Sequence, residues 1–463
     1  MTYGFALGSD SYKYSHGPQL PDDLKYASNY GSARSLNMYK QVLWFGLQSW
    51  KRKLMKNPLT MESVEYANRR IVEHCGIFPY EEFKRIVEVH NGLPPVRIEA
   101  LPEGLIVPVG VPCYQVVSTD PLLPTLGSFL ETEILRAAWY QSSVATLSWH
   151  IKQDLRKWLE QTCDNPEEEL AFRLHDFGGR GASSEESAAL GGMSHLINFM
   201  GTDTVPALEA ATEFYDEWMA GYSIPAMEHF TVTAWGRERE AQAYERMIDV
   251  YGGEGKKYAC VCDAYDQRNS VDNIWGKQLK DKVLAKGGTA VIRLDSGKPI
   301  AEVVYAVKSI ANSYGFHTNK KGYDVVNPAA RIIQGDGVNR TSINGICHAL
   351  ELNKLSIENN GYGMGGALLQ EVMRDDLGWA QKASAISADG EHWTGINKSP
   401  ITAPEKASLK GRQMVVYDAT GKMIAVPKGS RPESQNLLRV VYENGVSYND
   451  QTFAQVRANS NLK

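Results

Sequence analysis

The sequence predicts an α/β protein: an irregular β/α barrel domain, plus a mixed α+β domain built from the N- and C-terminal segments. Three features carry that prediction. From about residue 170 into the 360s, short apolar runs end in polar or glycine clusters, with helical patterns between them. Before residue 160 the pattern is irregular and partly strand-rich, and after residue 400 it turns to hairpins. Repeated strand–helix units imply a parallel sheet with helices outside. About seven or eight such units in one region suit a closed barrel, with an open doubly wound sheet as the alternative. The expected divisions are residues 1–165 for the N-terminal part of the mixed domain, 166–385 for the barrel-like domain, and 386–463 for a C-terminal segment packing with the N-terminal one.

Taken in order, an early polar segment is followed by a helix-like stretch around Val42–Met55. Between Val96 and Ser118 the Gly/Pro punctuation and β-branched content predict antiparallel strands, and an apolar helical region starts at Thr125. The strand candidates are LAFRLHDFG (170–178), LINFMGT (196–202), the segment ending in AMEHFTV (226–232), KYACVCDAYD (257–266), TAVIRLDSG (289–297), ARIIQGDG (330–337) and LSIENNGYGMGG (355–366). Helices are expected in SSEESAALGGMSHL, PALEAATEFYDEWM, REREAQAYERMIDVY and IAEVVYAVKSIANSYG, the first opening with Ser183 and Glu186 at capping-box spacing. RQMVVYDATGKMIAVP and LRVVYENGVSYND read as hairpins.

The net charge of −5 argues against a protein that binds nucleic acid through bulk electrostatics. No apolar run approaches the roughly 20 residues of a membrane span. The cysteines are scattered and no signal peptide is visible, which predicts reduced thiols in a cytoplasmic protein. Cys260 and Cys262 share a face if their segment is a strand. With no second pair to complete a metal set, they read as core thiols.

Polar residues collect where the proposed strands end: His175, Asp176 and Arg180; Asp203; Glu228 and His229; Asp263 and Asp266; Arg293 and Asp295; Asp336; and the glycines 363, 365 and 366. In a parallel β/α layout the strand C-termini converge on one face, where active sites form. Each element also has a plainer reading. IRLDSGKP is equally a strand followed by an Asp–Ser turn. Asp203 suits a turn or the cap of the next helix. His229 alone reads as a structural histidine, and Glu228 adds little because adjacent strand residues point to opposite faces. GYGMGG suits either a flexible loop or an anion site before a helix. Together, carboxylates, arginines and glycine-rich helix entrances suit a phosphorylated substrate with hydroxyl groups. Neither HExxH nor GxxxxGK[ST] is present.

HDFGGRGASSEESAALGGMSHLINFMGTDTV, SIPAMEHFTVTAWG, VIRLDSGKP, RIIQGDGV and GYGMGGALLQEVMRDD resemble, in order, the signature segments of the nicotinamide phosphoribosyltransferase family. DSYKYSHGPQLP resembles its opening segment, and LPEGLIVPVG and Thr119–Asp120–Pro121 fit its β-rich region, so that the resemblance runs from about residue 8 into the 440s. It implies transfer of phosphoribosyl from 5-phosphoribosyl 1-pyrophosphate to nicotinamide, in a homodimer with shared active sites, with ATP as co-substrate and Mg2+ as cofactor.

Residue by residue, the resemblance implies that Phe177 and the partner's Tyr12 sandwich the nicotinamide ring. Asp203 would accept from the carboxamide NH2. Arg293 and Arg180 would lie near the amide oxygen and the phosphate. Asp295 with Gly335–Asp336 would hold ribose hydroxyls, and Gly365–Gly366 the 5′-phosphate. Arg34, Arg374, Lys382 and Lys398, from the other subunit, would hold phosphate and pyrophosphate groups. His229 would take a phosphoryl group from ATP, with Glu228 and Asp263 as acidic neighbours. Two positions depart from the pattern: Gly179, commonly tyrosine in relatives, and Ala259, where a serine is familiar. Nicotinate phosphoribosyltransferase is the nearest alternative, and Asp203 speaks against it because an ionised aspartate repels a carboxylate.

Overall fold

The apolar runs of the regular region become parallel strands. In the computed structural model, which describes residues 4–402 and 407–461, six strands form one sheet. Their spatial order is Gly201–Thr202, Leu174–Asp176, Asn360–Met364, Ala330–Gln334, Thr289–Leu294 and Lys257–Val261, and all pairings are parallel. Alternation sets the faces: in Thr289–Leu294, Ala290, Ile292 and Leu294 are buried, while Thr289, Val291 and Arg293 lie half-buried on the other side. Helices Glu185–His195, Pro206–Tyr215, Glu240–Tyr251, Pro299–Tyr314 and Arg340–Leu352 stand between the strands in sequence. The first is capped by Ser184, whose hydroxyl accepts the Ser187 N–H at 3.0 Å, one residue later than the expected Ser183.

The run ending in AMEHFTV is not a strand. Tyr222 bridges Gly201 on one edge of the sheet, and Ala226 bridges Ala259 on the other. Four backbone hydrogen bonds make these links: Tyr222 N–H to Met200 O (2.7 Å), Thr202 N–H to Tyr222 O (3.1 Å), Ala259 N–H to Pro225 O (2.9 Å) and Met227 N–H to Ala259 O (2.9 Å). Pro225 has no N–H to extend a ladder, and the chain turns into the short helix His229–Thr233. The segment thus ties the two sheet edges together, which gives the irregular barrel.

By contact the chain forms two units: Leu147–Thr212 with Trp218–Val372, and Met1–Thr146 with Glu213–Glu217 and Met373–Lys463. The divisions expected at 165 and 385 therefore lie at 146 and 372. Helix Glu131–Thr162 runs unbroken through the first line, and Ala380–Ser387 pairs along Tyr26–Ser32, which places it with the N-terminal segment.

The second unit holds a seven-stranded sheet ordered Thr394–Gly395, Ala380–Ser387, Tyr26–Ser32, Tyr114–Ser118, Val96–Ala100, Arg439–Glu443 and Val446–Ser447. Its pairings are antiparallel. Asn444 and Gly445, at φ 48° and 86°, turn the last hairpin, as the Asn–Gly pair in the sequence demands. Gln413–Tyr417 and Met423–Pro427 form the other hairpin. Trp44 stacks on Tyr114 at 5.8 Å in the core, with Trp379 at 5.9 Å. The stretch 42–55 is divided. Gln41–Leu43 pairs with Ile106–Pro108, and the helix is Leu47–Lys56. Gly46, its N-cap at φ 110°, has no side chain to cap with, and buried Glu103 supplies the oxygen instead, accepting the N–H groups of Gly46 (3.1 Å) and Gln48 (2.9 Å).

Cys260 and Cys262 are buried and form no disulfide, and burial pushes both thiols up, as core thiols require. Among the described residues no helix is long and apolar enough to cross a membrane.

Candidate active site

Five side chains, Phe177, His229, Asp263, Arg293 and Asp295, follow one another along the rim of the parallel sheet: three strand ends supply four of them, and the short helix His229–Thr233 supplies the fifth. His229 Nε2 lies 2.9 Å from Asp263 Oδ1 and 3.8 Å from Asp295 Oδ2. Arg293 Nη2 donates to both oxygens of Asp295 at 2.9 Å, and Nε to Oδ1 at 3.2 Å. The Arg293 guanidinium in turn stands 5.4 Å from the centre of the Phe177 ring. Asp263, Asp295 and Arg293 are half-buried, which strengthens their mutual attraction relative to surface pairs, whereas His229 is exposed. Glycine makes the close approach possible at 335. A Cβ there would fall 2.5 Å from Asp295 Oδ1 and 2.8 Å from Arg293 Nε.

Phe177 continues the pairing of its strand, donating its N–H to Met364 O at 2.9 Å. Its ring lies against the backbone of Gly363, where any Cβ would overlap the ring atoms. Gly363 thus gives the Phe177 ring its seat, which its place in a glycine cluster did not reveal. Gly365 and Gly366 stand at the start of the short helix Gly366–Leu369.

Asp203 follows the neighbouring strand, and its N–H donates to Asp176 O at 2.9 Å, which sets it beside the Phe177 strand end. Its carboxylate is exposed and accepts from Ser223 Oγ at 2.5 Å. His175 and Asp176 shape this rim. His175 Nε2 reaches Phe172 O at 3.0 Å, and burial lowers its pKa. Asp176 Oδ1 accepts the Gly178 N–H at 2.7 Å, while burial pushes the carboxyl up to about 6. Arg180 is exposed on the turn Gly179–Gly181. Gly179 packs closely: a Cβ would lie 3.0 Å from Thr204 Oγ1. Ala259 is buried beside the bridging segment.

Glu228 does not join the group. It is the N-cap residue of His229–Thr233, its side chain is exposed, and its carbonyl accepts from Thr231. Asp266 accepts the Asn269 N–H and caps its own helix. Asp336 is exposed, and its carbonyl accepts from Gln334 Nε2 at 2.8 Å.

The remaining candidates lie in the other unit. Tyr12 is 60% exposed, immediately before buried Lys13 and Tyr14. Lys13 Nζ is anchored on Glu131 (2.7 Å) and Ser128 O (2.5 Å), and the Tyr14 hydroxyl donates to Ala6 O at 2.8 Å. This anchoring turns Tyr12 outward. Burial lowers the Lys382 pKa, and Arg34, Lys398 and Lys13 lower it further against the pull of Glu131. Arg374 is exposed and paired with Asp375 at 2.9 Å.

A model of the nicotinate phosphoribosyltransferase family matches residues 172–446, and one of the nicotinamide phosphoribosyltransferase N-terminal domain matches residues 4–98. A nicotinamide phosphoribosyltransferase of Xanthomonas campestris pv. campestris (strain 8004) is 41% identical over 462 residues, covering 98% of this chain and 97% of the relative. One from Mycoplasma pneumoniae is 32% identical over 340 residues, covering 70% of this chain and 72% of the relative. Among solved structures, nicotinate-nucleotide pyrophosphorylase from Pyrococcus furiosus superimposes with a TM-score of 0.64 at 16% identity, covering 99% of this chain and 97% of that one. Human nicotinic acid phosphoribosyltransferase gives 0.57 at 16% identity, covering 98% and 92%. These two likenesses establish the fold alone, whereas the matches in sequence extend to the family. The chain belongs to the nicotinate phosphoribosyltransferase family and carries the N-terminal domain of nicotinamide phosphoribosyltransferases.

Proposed function

We propose that the protein transfers the 5-phosphoribosyl group from 5-phosphoribosyl 1-pyrophosphate to nicotinamide, giving nicotinamide mononucleotide and pyrophosphate in NAD salvage. The observation that carries this reading is the exposed Asp203 carboxylate set at the rim beside the Phe177 platform. Phe177 takes one face of the electron-poor ring. Asp203 accepts the carboxamide N–H and repels the carboxylate of nicotinate. Asp295 and the Gly335–Asp336 turn take the ribose hydroxyls. Gly365–Gly366 and Arg180 take the 5′-phosphate.

The C1′–O bond to pyrophosphate breaks as the ring nitrogen bonds to C1′, which passes through oxocarbenium character. That nitrogen carries no proton, so positioning and charge stabilisation suffice and no base is required. In a homodimer, the second copy supplies Tyr12 to the other ring face and Arg34, Arg374, Lys382 and Lys398 to the departing pyrophosphate. The Asp263 and Asp295 oxygens lie within 4.8 Å of each other, and as hard oxygen donors these two carboxylates would suit Mg2+. When bound, the ion supplies further neutralisation of phosphate charge.

His229 is the acceptor of the ATP γ-phosphoryl group in this reading. With Nε2–H donated to Asp263, the lone pair resides on Nδ1, which forms the N–P bond as ADP leaves. The function is tested by pyrophosphate release from the purified protein with nicotinamide or nicotinate. Faster turnover of nicotinamide is expected. Faster turnover of nicotinate, or no release with either, overturns the proposal.

A pH dependence follows from Lys382. Its charged form is disfavoured by burial and by the neighbouring cations, so it gives up its proton below the ordinary lysine range. An anion favours the charged form. Pyrophosphate affinity is therefore expected to fall with rising pH before an ordinary lysine would give up its proton. Calorimetric titration of wild type and Lys382→Met checks this: the variant should lose that step, and an identical pH profile in both contradicts the assignment.

A further inference from the structure

Ser223 has its place at the rim set by the bridging segment. Tyr222 pairs with the edge strand through Met200 O and the Thr202 N–H. The next residue, Ser223, is therefore brought beside Asp203, the residue after Thr202. Its Oγ–H donates to Asp203 Oδ1 at 2.5 Å. A hydroxyl has one proton to give and an ionised carboxylate has none, so the direction of the bond is fixed, and it is charge-assisted. The bond restrains a carboxylate that otherwise stands exposed on a loop residue. Oδ2 takes no part in it.

We infer that Ser223 is a positioning residue for amide selection: it holds Asp203 as a fixed, acceptor-only carboxylate. A carboxamide N–H then meets an oriented acceptor, while a substrate carboxylate meets a negative charge that cannot swing away. The inference rests on the proposed recognition of nicotinamide by Asp203. Without the hydroxyl, Asp203 gains rotational freedom, the amide loses an oriented partner and the acid loses part of its repulsion. A merely structural role in the bridging segment would instead weaken use of both substrates alike.

The experiment compares kcat/KM for nicotinamide and nicotinate in wild type, Ser223→Ala and Ser223→Thr. In Ser223→Ala the nicotinamide-to-nicotinate ratio is expected to fall about tenfold, the scale of one hydrogen bond to a charged group. The change should lie in the KM for nicotinamide, with kcat little altered. Ser223→Thr, which keeps the hydroxyl, should restore the ratio. An unchanged ratio in Ser223→Ala, a proportional loss with both substrates, or failure of threonine to rescue each overturns the inference. A wild-type preference for nicotinate is a separate result, visible without any variant, and it overturns the underlying reading instead.

Discussion

Gly363→Ala is expected to raise the KM for nicotinamide about a hundredfold, close to the effect of removing the Phe177 ring itself. The new methyl group would occupy the space of the ring atoms, so Phe177 must leave its rotamer. A displaced aromatic platform forfeits the burial of a flat ring, about 2–3 kcal/mol, and overpacking adds strain of similar size. Alanine itself suits the middle of a strand at least as well as glycine, so the loss arises from the ring and not from the backbone. Gly361 provides the contrast. It lies two residues earlier in the same strand, and a Cβ there meets Ile333 Cγ1 at an ordinary 3.7 Å. Gly361→Ala should leave KM within about twofold. Initial-rate kinetics on both variants decide the matter, and equal tolerance at the two positions would refute the platform seat.

His229→Ala should abolish ATP-linked stimulation while leaving basal ribosyl transfer within about tenfold of wild type. In the proposed reading the imidazole supplies the nucleophilic nitrogen, whereas Phe177, Arg293 and Asp203, assigned there to the pyridine substrate, remain in place. Labelling with ATP carrying a labelled γ-phosphate should mark wild type with an acid-labile phosphoryl group and leave the variant blank. A variant that still responds fully to ATP, or still takes up label, contradicts the phosphohistidine role.

Elements governed by local pattern were legible in the sequence. The runs at 257–266, 289–297 and 330–337 each contain a strand, because β-branched and apolar residues there are bounded by turn formers. The Asn444–Gly445 turn was legible for the same local reason. The segment 226–232 misled because its composition suits a strand, whereas its pairing is limited by Pro225 and by two edges that only the closed sheet brings near. The polar strand ends put Asp263, Asp295, Arg293 and His229 among the candidates; parallel strands do gather the first three, whereas His229 reaches them from the start of a short helix. Glu228 stood in the same run, and only the helix turn at His229 shows that its side chain leaves the group. Ser223 and the special role of Gly363 were not legible, because each depends on a neighbour distant in sequence: Asp203 for one, Phe177 for the other.

The antiparallel sheet has a consequence for the chain during its synthesis. Tyr26–Ser32 finds one neighbour in Tyr114–Ser118, but its other neighbour, Ala380–Ser387, leaves the ribosome only after the whole barrel has been made. Val96–Ala100 waits longer still, for Arg439–Glu443. The barrel unit, contributed almost entirely by the intervening chain, can fold before its N-terminal predecessor is complete, so the order of folding inverts the order of the chain. Such long-range pairings are slow to close, and the early strands Tyr26–Ser32 and Val96–Ala100 must keep an unpaired edge until the late strands arrive. Slower elongation across residues 147–372 would prolong that exposure, whereas faster delivery of the C-terminal strands would shorten it.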